Sequence, residues 1–237
     1  MSNYLSTLKK LAGVVILAGG ASRRMGTPKA ELTLPTDETL LDYHVRQSLK
    51  LNVPIMIADN GRHFSVDAQL LANNPKITIT HIADYRSEFI IDDDKSDATQ
   101  GPLVAIESAL QSLVNAPDIN RLEDKQSWLL VISCDSLINA YDIWKQMKPY
   151  IESNIDDIKG KSVICLTDED HLYPLLGLYR LNIESDLRAY IDSGERKVMT
   201  FIEPRVQSIP VIKKQQLLTN FNTPEDFERA CAALYDL

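Results

Sequence analysis

Val14 to Ala18 is an unbroken apolar run that stops abruptly at Gly19-Gly20. A run this short and this apolar fits a strand buried on both faces, and such strands occur where helices cover a parallel sheet from both sides. The run gives way to a loop, Gly19 to Lys29, holding three glycines, the adjacent pair Arg23-Arg24 and a lysine. Glycine lacks a Cβ, so the backbone can take φ > 0 and a ligand can approach its N–H groups. Backbone N–H groups in a concave turn, with cationic side chains beside them, make a polyphosphate site. One stretch therefore predicts both the kind of sheet and the place of the chemistry.

The rest of the chain alternates in the same way. Strands are predicted at Pro54 to Ala58, Ile77 to Ile82, Trp128 to Ser133, Ser162 to Leu166, Tyr173 to Tyr179 and Val206 to Ile212. Ala30 to Leu34 reads as a short extended piece before the turn Pro35-Thr36-Asp37-Glu38. Apolar residues at helical spacing (Leu40, Leu41, Val45, Leu49, Leu51) predict a helix, and Val66 to Leu71 another that stops at Asn73-Asn74-Pro75. Gly101-Pro102 opens a helix to about Val114, with proline in the first turn where its missing N–H costs nothing. Helices come next at Ile183 to Ile191, closed by Gly194, and at Lys197 to Phe201, stopping before Pro204. A last helix starts at Thr223-Pro224-Glu225-Asp226, with threonine as cap and two acids at the positive end of the dipole. Alternating strands and helices predict a three-layer, mainly parallel α/β sheet, and with no linker or repeat residues 1–237 read as a single domain.

At 237 residues the chain can bury a sizeable core. A net charge of −8 argues against a nucleic-acid surface, which needs a basic patch, but not against a single nucleotide neutralised by a few local cations. No run of about 18 apolar residues is present, so no membrane span is expected. Met1 to Leu11 is polar and mixed, without a secretion signal, and the three cysteines, Cys134, Cys165 and Cys231, are widely spaced. Small buried thiols in a cytoplasmic protein are the expectation. His44, His63, His81 and His171 form no metal-binding spacing and read as incidental. The acidic stretch Asp92 to Asp97 is not an EF-hand, which would need glycine at Asp97 and glutamate at Leu103. It reads as a solvated insertion, and its place just before Gly101 makes it a candidate lid.

In open α/β sheets ligands sit beyond the carboxyl ends of the strands. That rule gathers the Gly19 to Lys29 loop, Asp59-Asn60, Asp84 and Cys134-Asp135 at one crevice. Arg24 suits a forked grip on phosphate and Lys29 a point charge. Asp135, directly after a fully apolar strand, suits a Mg²⁺ ion, which takes one or two carboxylates with phosphate oxygens and waters. Asp135 read as a helix cap, Asp84 as a turn residue, and Asn222 as a turn residue before a capped helix are the structural alternatives.

The loop fits neither of the two commoner phosphate motifs. Gly26-Thr27-Pro28-Lys29 is not Gly-Lys-Ser/Thr, and Gly19-Gly20 followed by Gly26 is not G-x-G-x-x-G. Leu17-Ala18-Gly19-Gly20-Ala21-Ser22-Arg23-Arg24-Met25-Gly26-Thr27-Pro28-Lys29 instead resembles the signature loop of nucleotidyltransferases with a dinucleotide-binding-like fold. The doubled glycine and the Arg-Arg-Met-Gly run resemble the molybdenum cofactor guanylyltransferases in particular. Gly101-Pro102-Leu103 resembles that family's G-P-L, Gly194-Glu195-Arg196 its G-E-R, and Asn220-Phe221-Asn222-Thr223-Pro224-Glu225-Asp226 its N-x-N-T-P-E-D. Tyr173-Pro174 stands where the family often has His-Pro, and Ala58 and Asn60 at its two strand-end asparagines.

The resemblance implies transfer of GMP from GTP, with Mg²⁺, to molybdenum-molybdopterin, giving the guanine dinucleotide cofactor and pyrophosphate. It implies nucleotide contacts from Leu17, Ala18, Gly19, Gly20, Lys29, Asn60, Asp84, Gly101 and Asp135, with the metal on Asp135. Catalysis falls to Arg24, Lys29 and Asp135, and the pterin side to Asn220 and Asn222. Apo-molybdoenzymes or their chaperones are the further partners it implies. Two other readings remain at this point. One is a related nucleotidyltransferase with another base or acceptor, such as a cytidylyl or sugar-phosphate enzyme. The other is a non-catalytic module that binds nucleotide or cofactor and hands it on.

Overall fold

The structure, a computed structural model, describes residues 11–20, 22, 24–85, 101–117, 126–153 and 160–235. Loop residues Ala21 and Arg23, the acidic stretch Asp92 to Asp97 and the candidate lid around it lie outside the described residues.

Among the described residues seven strands form one sheet: β1 (Leu11–Leu17), β2 (Ile55–Ala58), β3 (Ile79–Ile82), β4 (Trp128–Ser133), β5 (Val163–Thr167), β6 (Leu172–Arg180) and β7 (Val206–Pro210). Their order is β3-β2-β1-β4-β6-β5-β7. β1 lies between parallel partners, with Val14 beside Ile55 on one side and Leu130 on the other. β3 continues the parallel half, and β7 is parallel to β5. Only β6 runs against its neighbours, β4 and β5. The reason is local: residues 168–171 are too few for the crossover that a parallel pair requires. Asp168 closes this hairpin by accepting hydrogen bonds from the N–H groups of Asp170 (2.9 Å) and His171 (2.7 Å).

Successive strand residues point to opposite faces. Val14, Ile16, Leu130 and Ile132 pack on one face with α1 (Leu40–Leu49), α4 (Ala140–Ser153) and α7 (Pro224–Tyr235). Val15, Leu129 and Val131 pack on the other with α3 (Pro102–Val114), α5 (Glu184–Asp192) and α6 (Val198–Ile202). A short α2 (Ala68–Asn73) precedes β3. Val14, Val15 and Ile16 have no exposed surface, which explains why the first strand is apolar without alternation. The three-layer, mainly parallel arrangement expected from the sequence is the one observed.

The helix starts obey their capping residues. Thr39 Oγ1 accepts from Asp42 N (3.1 Å) at α1. Thr223 Oγ1 accepts from Asp226 N (3.2 Å) at α7, while the Asp226 carboxylate accepts from the Asn222 and Thr223 N–H groups, a reciprocal cap. Two expectations need correction. Ala30 to Leu34 is not simply extended: residues Lys29–Glu31 form a 3₁₀ turn, and Thr33 then bridges Thr39. Packing decides this, because the turn lets Ala30 and Leu34 both reach the core. The last strand ends at Pro210, and Ile212, expected within it, is half exposed. Among the described residues no helix is long and apolar enough to cross a membrane.

Candidate active site

The carboxyl ends of β1, β2 and β4 meet side by side, Leu17 lying between Ala58 and Ser133. Pairing continues one step further: Ala18 N donates to Ala58 O (2.8 Å) and Cys134 N to Leu17 O (3.1 Å). Beyond this point the three chains diverge and leave a crevice. It has two adjoining lobes that share Leu17, Gly20, Ser133 and Asp135 as walls. The first, about 300 Å³, is also lined by Ala18, Arg24, Lys29 and Asn222. The second, about 210 Å³, adds Gly19, Asn60, Asp84 and Gly101, with apolar walls from Ala58, Ala105 and Leu175. Every site residue expected from the sequence lines one lobe or the other except Asn220 and Asp59.

The loop glycines have separate reasons. Gly26 alone among the loop's three takes a positive φ, 71°, and Ser22, without being glycine, takes 45°. Ser22 organises the turn: its Oγ accepts from Lys29 N (3.1 Å) and its carbonyl accepts from Met25 N (2.9 Å). Met25 is buried against the core and pins the loop down. At Gly19 a Cβ would stand 3.1 Å from Asn60 Cβ and 3.3 Å from Asn60 N, so glycine there permits the close approach of two strand ends. At Gly20 a Cβ would meet nothing within 4 Å among the described residues, and Gly20 itself lines the crevice.

Lys29 spans the molecule. Its Nζ donates to the carbonyl of Phe221 (2.7 Å) and to Asn222 Oδ1 (3.2 Å). Burial lowers its pKa, and the nearby Asp135 carboxylate opposes that shift. Phe221 N in turn donates to the Asp135 carbonyl (2.8 Å), so residues 221–222 are tied to the Lys29 ammonium and to the backbone of Asp135. Asn220 stands behind: its backbone and side-chain oxygens accept from Asn222 Nδ2 at 3.4 and 3.3 Å, and it orients Asn222 rather than lining the crevice. The first and last sequence blocks thus meet at one lysine.

Asp135 is not a helix cap. α4 starts at Ala140, and Asn139 Oδ1 accepts from Asp142 N (3.0 Å) instead. Among the described residues no hydrogen bond engages the Asp135 carboxylate, which lies in the wall common to both lobes. A hard cation with an incomplete protein ligand set fits such a group. Asp59 departs from expectation. Its side chain is buried and turned from the crevice, accepting from Gly61 N (3.1 Å), Phe64 N (3.1 Å) and His81 Nδ1 (2.8 Å). That clasp shapes the turn from which Asn60 reaches the second lobe.

Comparison with known proteins places this geometry. The family model of the MobA-like NTP transferase domain matches residues 14–208. The chain belongs to the MobA-like NTP transferases. It is accordingly a transferase enzyme, and its crevice is the candidate nucleotidyl-transfer site. A probable molybdenum cofactor guanylyltransferase of Carboxydothermus hydrogenoformans is 25% identical over 224 residues, covering 91% of this chain and 93% of that protein. The molybdenum cofactor guanylyltransferase of Polynucleobacter asymbioticus is 24% identical over 220 residues, covering 93% and 96%. The crystal structure of molybdopterin-guanine dinucleotide biosynthesis protein A from Archaeoglobus fulgidus shares the fold, with a TM-score of 0.62 and 20% identity over 95% of this chain and all of that one.

Sequence reasoning missed Arg62 in this MobA-like transferase. Its guanidinium donates to the Gly20 carbonyl (3.0 Å), bracing the loop from 42 residues away, and no spacing pattern announces that contact. It also passed over the histidines. His63 and His81 come together with Asp59 on the far edge of the same turn, their rings 5.8 Å apart.

Proposed function

We propose that this enzyme transfers GMP from Mg-GTP to the terminal phosphate of molybdenum-molybdopterin, producing the guanine dinucleotide cofactor and pyrophosphate. The observation that carries the reading is the two-lobed crevice, whose lobes share Asp135 and Gly20. The lobe with apolar walls and the polar groups of Asn60, Asp84 and Gly101 suits a nucleoside. The lobe with Arg24 and Lys29 suits phosphates. The α-phosphorus would then lie between them, beside Asp135. The names of the two curated relatives support guanine and molybdopterin as the substrates.

The chemistry asks little of a general base, because the attacking pterin phosphate is already an anion. Attack on the α-phosphorus breaks its bond to the bridging oxygen, and charge collects on departing pyrophosphate. Positioning and charge stabilisation carry such a reaction. Arg24 offers forked donors to the phosphate oxygens, and Lys29 adds a fixed charge whose position is set by Phe221 and Asn222. The backbone from Leu17 to Gly20 seats the nucleotide, and Asn222, oriented by Asn220, faces the acceptor. Mg²⁺ held by Asp135 would supply neutralisation of phosphate charge. We read residues 1–237 as one functional unit, since the Lys29 contacts make the site depend on both ends of the sequence. The dinucleotide product must then be handed to an apo-molybdoenzyme or its chaperone.

The test is a melting series with GTP, CTP, ATP and UTP, each with and without Mg²⁺. Ligand at 100 times its Kd stabilises by about 2.7 kcal/mol, readily seen as a shift. A shift selective for GTP and enlarged by Mg²⁺ is expected, together with molybdopterin-dependent pyrophosphate release that Asp135→Ala abolishes. Selectivity for CTP would reassign the base. Binding without pyrophosphate release in the presence of acceptor would make the protein a carrier.

A further inference from the structure

We propose that Asp59, His63 and His81 form a second metal site, selective for a divalent transition ion of the Zn²⁺ type and separate from the Mg²⁺ position at Asp135. One carboxylate oxygen and one imidazole nitrogen from each histidine all lie within 4.8 Å of one another. Ligand atoms around a tetrahedral ion at 2.0–2.1 Å stand roughly 3.4 Å apart, so a small rotation of the two exposed imidazoles closes the set.

The fold builds this juxtaposition from three separate causes. His81 lies on β3, whose pairing with β2 sets it beside Ile57, one residue before the end of the strand. Asp59 leaves β2 immediately after Ala58, and its buried carboxylate is held by the N–H groups of Gly61 and Phe64. His63 reaches the pair only because the intervening turn doubles back through left-handed backbone at Asn60 (φ 56°), Gly61 (φ 73°) and His63 itself (φ 52°). Two of these are not glycine, so the turn holds a conformation that L side chains rarely adopt.

Donor chemistry chooses the ion. Two imidazoles and a carboxylate suit Zn²⁺ and its neighbours, whereas Mg²⁺ requires oxygen ligands. Three protein ligands leave one position to water, and both histidines are exposed, so the ion exchanges with solvent. The bond from His81 Nδ1 to Asp59 Oδ2 (2.8 Å) already holds the ring against the carboxylate that would share the ion. The ion would tie the β2 turn to β3. That turn carries Asn60 into the second lobe and Arg62 to the Gly20 carbonyl.

The full chain, stripped with chelator and then titrated with Zn²⁺ against a chromophoric competitor, tests the site. Excess Mg²⁺ is kept present to occupy oxygen-only positions, and no nucleotide is needed, so the outcome is independent of the proposed substrate. One Zn²⁺ per chain is expected. His63→Gln and His81→Gln should each weaken it by about tenfold or more, and the double variant should not bind. Co²⁺ in the same site should show the visible absorption of a tetrahedral ion without the thiolate band that Cys134 or Cys231 would contribute. Without metal, His63→Gln should melt with the wild type, whereas His81→Gln also loses its bond to the buried Asp59 carboxylate and serves only alongside His63→Gln. Absence of binding, binding that survives in the double variant, or a thiolate band would each overturn the assignment.

Discussion

Exchanging Gly19 and Gly20 for alanine, one at a time, should separate packing from ligand approach. In Gly19→Ala the new methyl would stand 3.1 Å from Asn60 Cβ and 3.3 Å from both Asn60 N and Asp59 C. Two of these three atoms are backbone, fixed by the strand-end bond from Ala18 N to Ala58 O, so they yield only by spreading β1 from β2. Overpacking of this kind costs about 1–3 kcal/mol. In a chain of this length that lowers the melting temperature by about 2–4 °C per kcal/mol. Gly20→Ala should behave in the opposite way. Among the described residues nothing lies within 4 Å of the added methyl, and the backbone there is not left-handed, so stability should hold or rise by about 0.4–1 kcal/mol. Gly20, however, belongs to the wall both lobes share, so the methyl is added where a ligand would rest on the backbone. A nucleotide seated against this backbone loses about 1–3 kcal/mol, or roughly 5- to 150-fold in affinity. Scanning fluorimetry of both variants, with calorimetric titration of GTP and Mg²⁺, measures the two effects. If Gly20→Ala binds as tightly as the wild type, the nucleotide does not approach this backbone. If Gly19→Ala melts with the wild type, the packing argument fails.

Charged groups give two further outcomes. Lys29→Met removes the donor to Phe221 O and Asn222 Oδ1, and pyrophosphate release should fall by about 10²–10³, as when an oriented transition-state donor is lost. Rates near the wild type would make Lys29 only a structural tie. Glu107 is fully buried in α3, its Oε1 accepts from Arg188 Nε (3.1 Å), and its Oε2 has no partner among the described residues. Burial raises its pKa from 4.5 to about 8, with the Arg188 hydrogen bond opposing. The folded state therefore keeps a proton that the unfolded state releases, and stability present below about pH 4.5 is lost as pH rises towards 8. Glu107→Gln should flatten that slope and exceed the wild type by a few kcal/mol, of the order of one per pH unit, at pH 9. Denaturant melts from pH 5 to 9 check it, and parallel curves for the two proteins would refute it.

Much of this molecule was legible in one dimension because its strongest signals are local. β4 ends one residue past its apolar run, at Ser133, and α7 starts where its threonine cap and proline do, since burial on both faces and end capping each act over a few residues. The glycine-rich loop was readable for the same reason, and its neighbours at the crevice came from the rule that ligands gather at carboxyl ends. Asp59 was not readable: a strand-ending acid faces either the crevice or its own turn, and the decision lay with the N–H groups of Gly61 and Phe64 and with His81.

By itself, then, the sequence determined the layers, the ends of β2 and β4 and the chemistry of the nucleotide loop, all set by apolar periodicity and by backbone freedom at glycine. Only the tertiary structure decided which side chains hold one another. It joined Lys29 to Asn222, Arg62 to Gly20, and Asp59 to His63 and His81. Those contacts depend on strand order and turn geometry, which sum over the packing of the whole sheet, so no spacing along the chain encodes them.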